Sequence, residues 1–248
     1  MYCLLNSDVE VTPHWLEAPM HIFAHEPQVS ILQPKIKSYK QRNYFEYAGA
    51  AGGYIDKYGF PYCRGRVFDI IEEDTGQYEE QTPIFWASGA CFFIKASVFE
   101  HLGGFDEDFF AHQEEIDLCW RAQNEGYKVY YTPLSQIYHL GGATLEQGST
   151  QKVFLNFRNS LFMLLKNLPK GAWFSTIFLR MVLDGIAGIR FFFQGKPSYT
   201  WAILRAHFAF YKYFFHFYHK RKNPILKQYY SIKSIAYSYF IKNKKVGY

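Results

Sequence analysis

The sequence predicts an α/β domain followed by a helical region, and three observations carry that reading. Short apolar runs such as YCLL (2–5) and CFFIK (91–95) alternate with helix-patterned stretches over the first 150 residues. After residue 150 the apolar stretches lengthen and keep a helical period. The charge divides at the same place. Residues 1–150 hold 10 Lys and Arg against 21 Asp and Glu, a net of −11, whereas residues 151–248 hold 17 against one acid, Asp184, a net of +16.

A chain of 248 residues can build one sizeable domain, or one with an appendage. Hydrophobic residues at 49% and charged ones at 20% exclude a disordered or collagen-like chain. Cys3, Cys63, Cys91 and Cys119 form no CxxC pair, which points to reduced, buried thiols rather than zinc or a disulfide framework. The start, MYCLLNSDVEV, lacks the basic and apolar regions of a secretion signal.

The opening run 2–5 reads as the end of a buried strand leading into the polar turn Asn6-Ser7-Asp8. Thr12 as N-cap with Pro13 at the first helical position predicts a helix to about residue 25. Val29–Pro34 reads as a second buried strand. Residues 35–85 read as a long polar loop containing Gly49–Gly53 (GAAGG) and CRGR. A strand over Cys91–Lys95 precedes a short helix at 97–102, closed by Gly103-Gly104. The acid-dense run that follows predicts a helix over Gln113–Asn124, stopped by Gly126, then a strand at Lys128–Tyr131. Helices are expected at 152–168, ended by Pro169, and at 173–193 and 200–219, before a Tyr/Lys-rich tail from 223.

Chemistry concentrates at the acid helix. Ile116, Cys119 and Trp120 share one face at about 100° per residue, while Glu114, Asp117 and Arg121 share the other. One reading is a solvated helix with Asp117 and Arg121 paired at i,i+4. The other is a first-turn carboxylate projecting into a cleft as a general base, kept ionised by helix-end N–H groups. Asp8 follows a strand end, where α/β sheets bind ligands, yet most such Asp residues only form turns. His139, in the turn-like IYHLGG, is an available nitrogen ligand or a structural histidine. Gly49–Gly53 could cradle phosphate, but without a strand-to-helix context it reads as a flexible loop.

Three segments, LLNSDVEVTPHWLE, the block from Trp86 to Pro133 and IYHLGG, together resemble family 2 glycosyltransferases. The likeness covers about residues 2–168 and is nearest to rhamnosyltransferase-like enzymes of bacterial surface-polysaccharide assembly. It implies the GT-A nucleotide-sugar fold, an inverting reaction and a divalent metal, Mg or Mn, on the donor diphosphate. Asn6-Ser7-Asp8 would occupy the Asp-x-Asp position, with Asp8 binding the metal and Asn6 replacing the first acid near the substrate. Glu114-Glu115 would fill the Glu-Asp position, making Glu115 the catalytic base, with Glu114 and Asp117 as alternatives. His139 would complete the metal shell, and Trp86, Ser88 and Gly89 would line the sugar and acceptor pocket. Arg121 is the remaining candidate substrate contact.

The family resemblance also implies a βαβ region of roughly a hundred residues ahead of the Asp-x-Asp strand, on the scale of ordinary domains. The chain is therefore expected to be an incomplete catalytic domain, 1–150, with a sheet edge left open, followed by a basic aromatic region, 151–248. Arg180, Asp184 and Arg190 interrupt 173–193 and argue against a bilayer-crossing helix. The aromatic-basic pattern suits an anionic membrane surface, or a helical subdomain packed on the acidic half. No nucleic-acid motif accompanies it, so nucleic acid is not an expected partner. The expected partners are a nucleotide-sugar donor and a glycan or lipid-linked acceptor, at the inner face of the cell membrane. The competing expectation is a non-catalytic remnant or acceptor-binding fragment, and a metal-dependent phosphohydrolase is the other enzymatic one.

Overall fold

The structure is a computed structural model that describes residues 1–141, 149–222, 226, 228–244 and 246–247. Gly142, the last residue of IYHLGG, and Asn223, where the expected tail begins, lie outside the described residues.

A mixed sheet organises the first half. Its strands are β1 (Tyr2–Leu5), β2 (Val9–Val11), β3 (Val29–Ser38), β8 (Thr82–Pro83), β9 (Cys91–Ile94) and β10 (Lys128–His139). The order is β1-β9-β3-β10-β2, with β8 also on β10. Among the described residues only β3 and β10 run parallel, and their register slips between Thr132 and Gln136, where β10 carries extra residues. The helices of this half are α1 (Glu17–His25), α2 (Ala96–His101) and α3 (Glu114–Asn124). The α/β class is as the sequence predicts. β1 differs in burial: it lies at the sheet edge, and Tyr2 and Leu5 are 43% and 45% exposed.

Three expectations give way. The helix predicted from Thr12 starts only at Glu17, because the Thr12 hydroxyl is committed elsewhere, donating to the Gln136 carbonyl at 2.7 Å. His14, at φ +62°, then turns the chain before the helix can begin. The supposed loop at 35–85 contains a second, four-stranded sheet of β4 (Gly53–Ile55), β5 (Pro61–Cys63), β6 (Arg66–Val67) and β7 (Ile70–Ile71). Strands of two or three residues are too short to show a period. GAAGG is neither flexible nor a cradle: a Cβ on Gly53 would fall 2.1 Å from the Trp86 ring.

The second half is helical, with α4 (Thr150–Asn167), α5 (Trp173–Phe193), α6 (Pro197–His219) and α7 (Ile235–Phe240). Ser149 caps α4, its hydroxyl accepting from the Lys152 N–H. The change of charge at 150 is not a gap in the core. One apolar cluster runs from Ile31 and Phe92 of the sheet through Trp120 of α3 to Phe162, Phe210 and Phe217 of the later helices. The Phe162 and Phe217 rings stack at 3.7 Å. Among the described residues no helix is long and apolar enough to cross a membrane.

Candidate active site

Parallel strands β3 and β10 end side by side, Ser38 pairing with His139, and ligand sites of α/β sheets lie beyond such ends. His139 is thus the last residue of a strand, not part of a turn. Asn6-Ser7-Asp8 carries the chain from one sheet edge to the other, with the Asn6 N–H on the Ala90 carbonyl and Asp8 O accepting from Leu140 N. Asp8 Oδ1 comes to 3.1 Å from His139 Nε2. Glu46 Oε2 stands 3.3 Å from His139 Nδ1 on the other side of the ring. Burial would lower the His139 pKa, but the carboxylates of Glu46 and Asp8 outweigh it and the net shift is upward. A cleft of about 520 Å³ opens beside them, lined by Lys40, Tyr44, Glu46, Tyr47 and Gly141.

From Glu46 a chain of contacts leads to the acid helix. The Ala48 N–H donates to Glu46, and Ser88 Oγ donates to the Ala48 carbonyl. Gln33 of β3 holds both loops, its amide donating to Gly49 O at 3.1 Å and its oxygen accepting from Ser88 N at 2.9 Å. Next to Ser88, Gly89 is exposed, and a Cβ there would stand 3.9 Å from the Glu115 carboxyl carbon.

The entry to α3 is strained. Phe110, His112 and Gln113 sit at φ +66°, +69° and +75°, a left-handed conformation that costs non-glycine residues of order 1–3 kcal/mol each. Asn159 of α4 holds this turn by donating its amide to the carbonyls of Phe109, Ala111 and His112 at 2.8–2.9 Å. Four buried polar atoms then follow without a hydrogen-bond partner: His112 Nε2, Gln113 Oε1, Glu114 Oε2 and Glu115 Oε2. Buried polar groups are almost always satisfied, so four in a row make this turn a candidate site. Burial, then the neighbouring Glu114 charge, push Glu115 up to about 8. Burial likewise raises Glu114 and drives His112 down to about 4. The helix-end N–H groups do not keep Glu115 ionised as expected, because desolvation outweighs them.

The structure assigns other tasks to several candidates. Asp117 is fully buried and accepts from Arg121 Nε, Lys166 Nζ and Asn167 Nδ2, each at 2.8 Å. Arg121 gives its remaining donors to the carbonyls of Leu102 and Gly104 at 2.7 Å. Neither lines the cleft beside Glu46, and the pair is not solvated, because α4 covers that face of α3. Trp86 is 4% exposed, its indole N–H donating to Tyr54 O, and Ser88 is 2% exposed. Both shape the site from behind, and only Gly89 of that segment is at the surface. Sequence reasoning missed Glu46 and Asn159. Glu46 sits in the run before GAAGG with no motif around it, and Asn159 is a polar residue on the inner face of α4, which is a legible signal.

Comparison with known proteins gives the family. A family model described as glycosyl transferase family group 2 matches residues 3–215. An N-acetylglucosaminyl-diphospho-decaprenol L-rhamnosyltransferase of Mycobacterium tuberculosis is 27% identical over 110 residues, 44% of this chain and 35% of its own length. The low-salt glycan biosynthesis hexosyltransferase Agl10 of Haloferax volcanii is 28% identical over 54% of this chain and 44% of its length. Rhamnosyltransferase WbbL of Escherichia coli is 33% identical over 23% of this chain and 22% of its own. The chain thus spans less than half the length of these relatives. A crystal structure of GalNAc-T7 with UDP, GalNAc and Mn2+ overlaps 66% of this chain and 31% of that one, at a TM-score of 0.47 and 15% identity. With the family model matching more than half of its residues, the chain belongs to glycosyl transferase family group 2.

Proposed function

We propose that the chain transfers a sugar from a nucleotide-sugar donor to a glycan or lipid-linked acceptor, with inversion, in cell-surface polysaccharide synthesis. The observation that carries this reading is the Glu115 carboxylate, its Oε2 without a hydrogen-bond partner, beside exposed Gly89, in the segment whose Ala90 carbonyl holds Asn6. The lipid-linked acceptor follows the diphospho-decaprenol in the name of the mycobacterial relative. We propose the inner face of the cell membrane as the place of the reaction.

Glu115 takes the proton from the acceptor hydroxyl as that oxygen attacks the anomeric carbon opposite the leaving group. A pKa of about 8 makes it a stronger base than an ordinary carboxylate once the proton has left. Glu114 helps by raising that basicity, and the Asn159-held turn fixes the direction of attack. Gly89 leaves room for the sugar against the carboxylate.

The donor set fits a divalent ion. Asp8 Oδ1 and His139 Nε2 are separated by 3.1 Å, close to the spacing of adjacent ligands with bonds of about 2.1 Å on an octahedral ion. Glu46 Oε2 lies 3.3 Å behind His139 Nδ1, on the side where metal-bound imidazoles have a supporting carboxylate. Among the described residues no group of three or more His, Cys, Asp or Glu gathers as a complete metal site. Two protein ligands suit an ion, Mg or Mn, that completes its shell with substrate phosphate and water. When bound, the ion would offset charge on the departing nucleoside diphosphate.

Thermal-shift and calorimetric titrations with UDP, GDP and dTDP, with and without Mn2+, test the reading. Metal-dependent binding that disappears in Asp8→Ala supports it. No nucleotide binding by a chain with intact circular dichroism overturns it in favour of a non-catalytic fragment. Release of phosphate without an acceptor overturns it in favour of a hydrolase.

A further inference from the structure

The outward faces of α5 and α6 are apolar. On α5, Phe174, Phe178, Val182, Ile186, Ile189 and Phe193 are exposed and recur at intervals of three or four. On α6, Trp201, Leu204, Phe208, Tyr211 and Phe215 do the same, Trp201 at 58% and Phe208 at 67% exposure. The buried stripes are different residues: Ile177, Arg180 and Asp184 on α5, and Ile203, Phe210 and Phe217 on α6.

The two helices are antiparallel, as three contacts show: Gly188 with Thr200, Asp184 with His207, and Met181 with Tyr211. Measured around each helix from that line, both apolar stripes lie about a quarter turn away in the same sense. In an antiparallel pair that brings them to one side. The surface continues past α5, where a groove of about 640 Å³ runs between α5 and α7, lined by Leu179, Val182, Ile232 and Tyr237 with Lys233 and Lys242. Arg190 lies over the Phe240 ring at 4.5 Å on the same flank.

The charge pattern names the occupant. The one acid after residue 150, Asp184, is fully buried and bound by Arg180 and His207. The face is therefore bordered by exposed cations, Arg190, Lys196, Arg205 and Lys212 besides the two groove lysines, with no acid of its own helices among them. A second copy would set cations against cations. Anionic lipid complements them, and exposed aromatics suit the depth of headgroups.

We propose that this face and the α5–α7 groove seat the protein on the surface of an anionic phospholipid bilayer, with Lys233 and Lys242 meeting lipid phosphates. The proposal is independent of the transfer reaction and is read without donor or acceptor. The experiment floats the full chain with vesicles of phosphatidylglycerol and phosphatidylethanolamine, or of phosphatidylcholine alone. Tryptophan emission and solution mass are recorded alongside.

The chain should float with anionic vesicles, bind neutral ones at least about tenfold more weakly, and detach at high salt. A blue shift on binding should vanish in Trp201→Phe. The exposed-site variant Phe178→Glu/Phe208→Glu should lose binding with unchanged circular dichroism. Lys233→Ala/Lys242→Ala should weaken anionic binding by about fivefold per lysine. Absence of vesicle binding overturns the proposal, as does equal affinity for neutral and anionic vesicles. A dimer that Phe178→Glu/Phe208→Glu dissociates also overturns it, giving the face to a second copy.

Discussion

Two sides of the first turn of α3 treat buried charge in opposite ways. At the first turn, Glu114 and Glu115 keep buried oxygens without partners, and Glu115 is pushed up to about 8. Two residues on, Asp117 is buried more deeply but is met by Arg121, Lys166 and Asn167. The same network continues to Asp106, which burial alone would raise but which Lys166 and Lys220 hold down to about 2. A carboxylate with all its partners fastens helices together. One that keeps an oxygen unpartnered has a position to offer a substrate, and its raised proton affinity is the cost of that position.

The largest expected break in this contrast is Glu115→Gln. Replacing the base should lower turnover by about 10²–10⁴-fold while nucleotide binding holds and the chain stays folded. Asp117→Ala should do the reverse. Lys166 keeps only Asp106, and Arg121 and Asn167 lose a buried acceptor, which should cost about 3–5 kcal/mol in urea unfolding, with expression of a folded chain impaired. A Glu115→Gln variant that unfolds, or an Asp117→Ala variant of full stability, would erase the distinction.

Asn159 joins the two regions, since it sits on α4 and grips the turn that presents Glu115. Asn159→Ala removes bonds from three carbonyls and should cost about 2–3 kcal/mol. Turnover should fall more than nucleotide affinity, because the turn is left free to relax from its left-handed geometry.

The smallest effect is on the pH dependence of stability. Glu115 is raised from 4.5 to about 8, so the folded state holds its proton longer than the unfolded state does. That contribution is complete below about pH 4.5 and is lost as pH rises through 8. Asp56, raised to about 6 by burial, acts in the same direction but finishes earlier. His112, depressed to about 4, has the opposite sign and loses stability as pH falls from 6.5 to 4. Between pH 6.5 and 8 the Glu115 contribution should therefore dominate, giving a decline of about 2 kcal/mol that Glu115→Gln flattens. A wild-type profile flat over that window would mean that Glu115 is already ionised.

Legibility followed the length of each local signal. α3 and α4 are long and periodic, and their positions agree with expectation to within two residues. CFFIK reads correctly because four consecutive residues of β9 are fully buried. Thr12-Pro13 misled because a hydroxyl that could cap a helix is used instead across the sheet, on Gln136. Asp117 and Arg121 misled because a helical wheel shows which face is polar, not whether another helix covers it. The Asp8–His139 contact joins residues far apart in the chain, and the family resemblance pointed to it; nothing pointed to Glu46 behind the imidazole.

What the sequence by itself determined is what local order and pairwise chemistry encode: an α/β half and a helical half, the break in charge at residue 150, and the candidate acids at Asp8 and in the first turn of α3. Only the tertiary structure decided which of those acids are spent. Burial and hydrogen-bond partnership depend on elements brought in from elsewhere in the chain, α4 above all. A carboxylate's proton affinity is set by those neighbours rather than by its position in a motif.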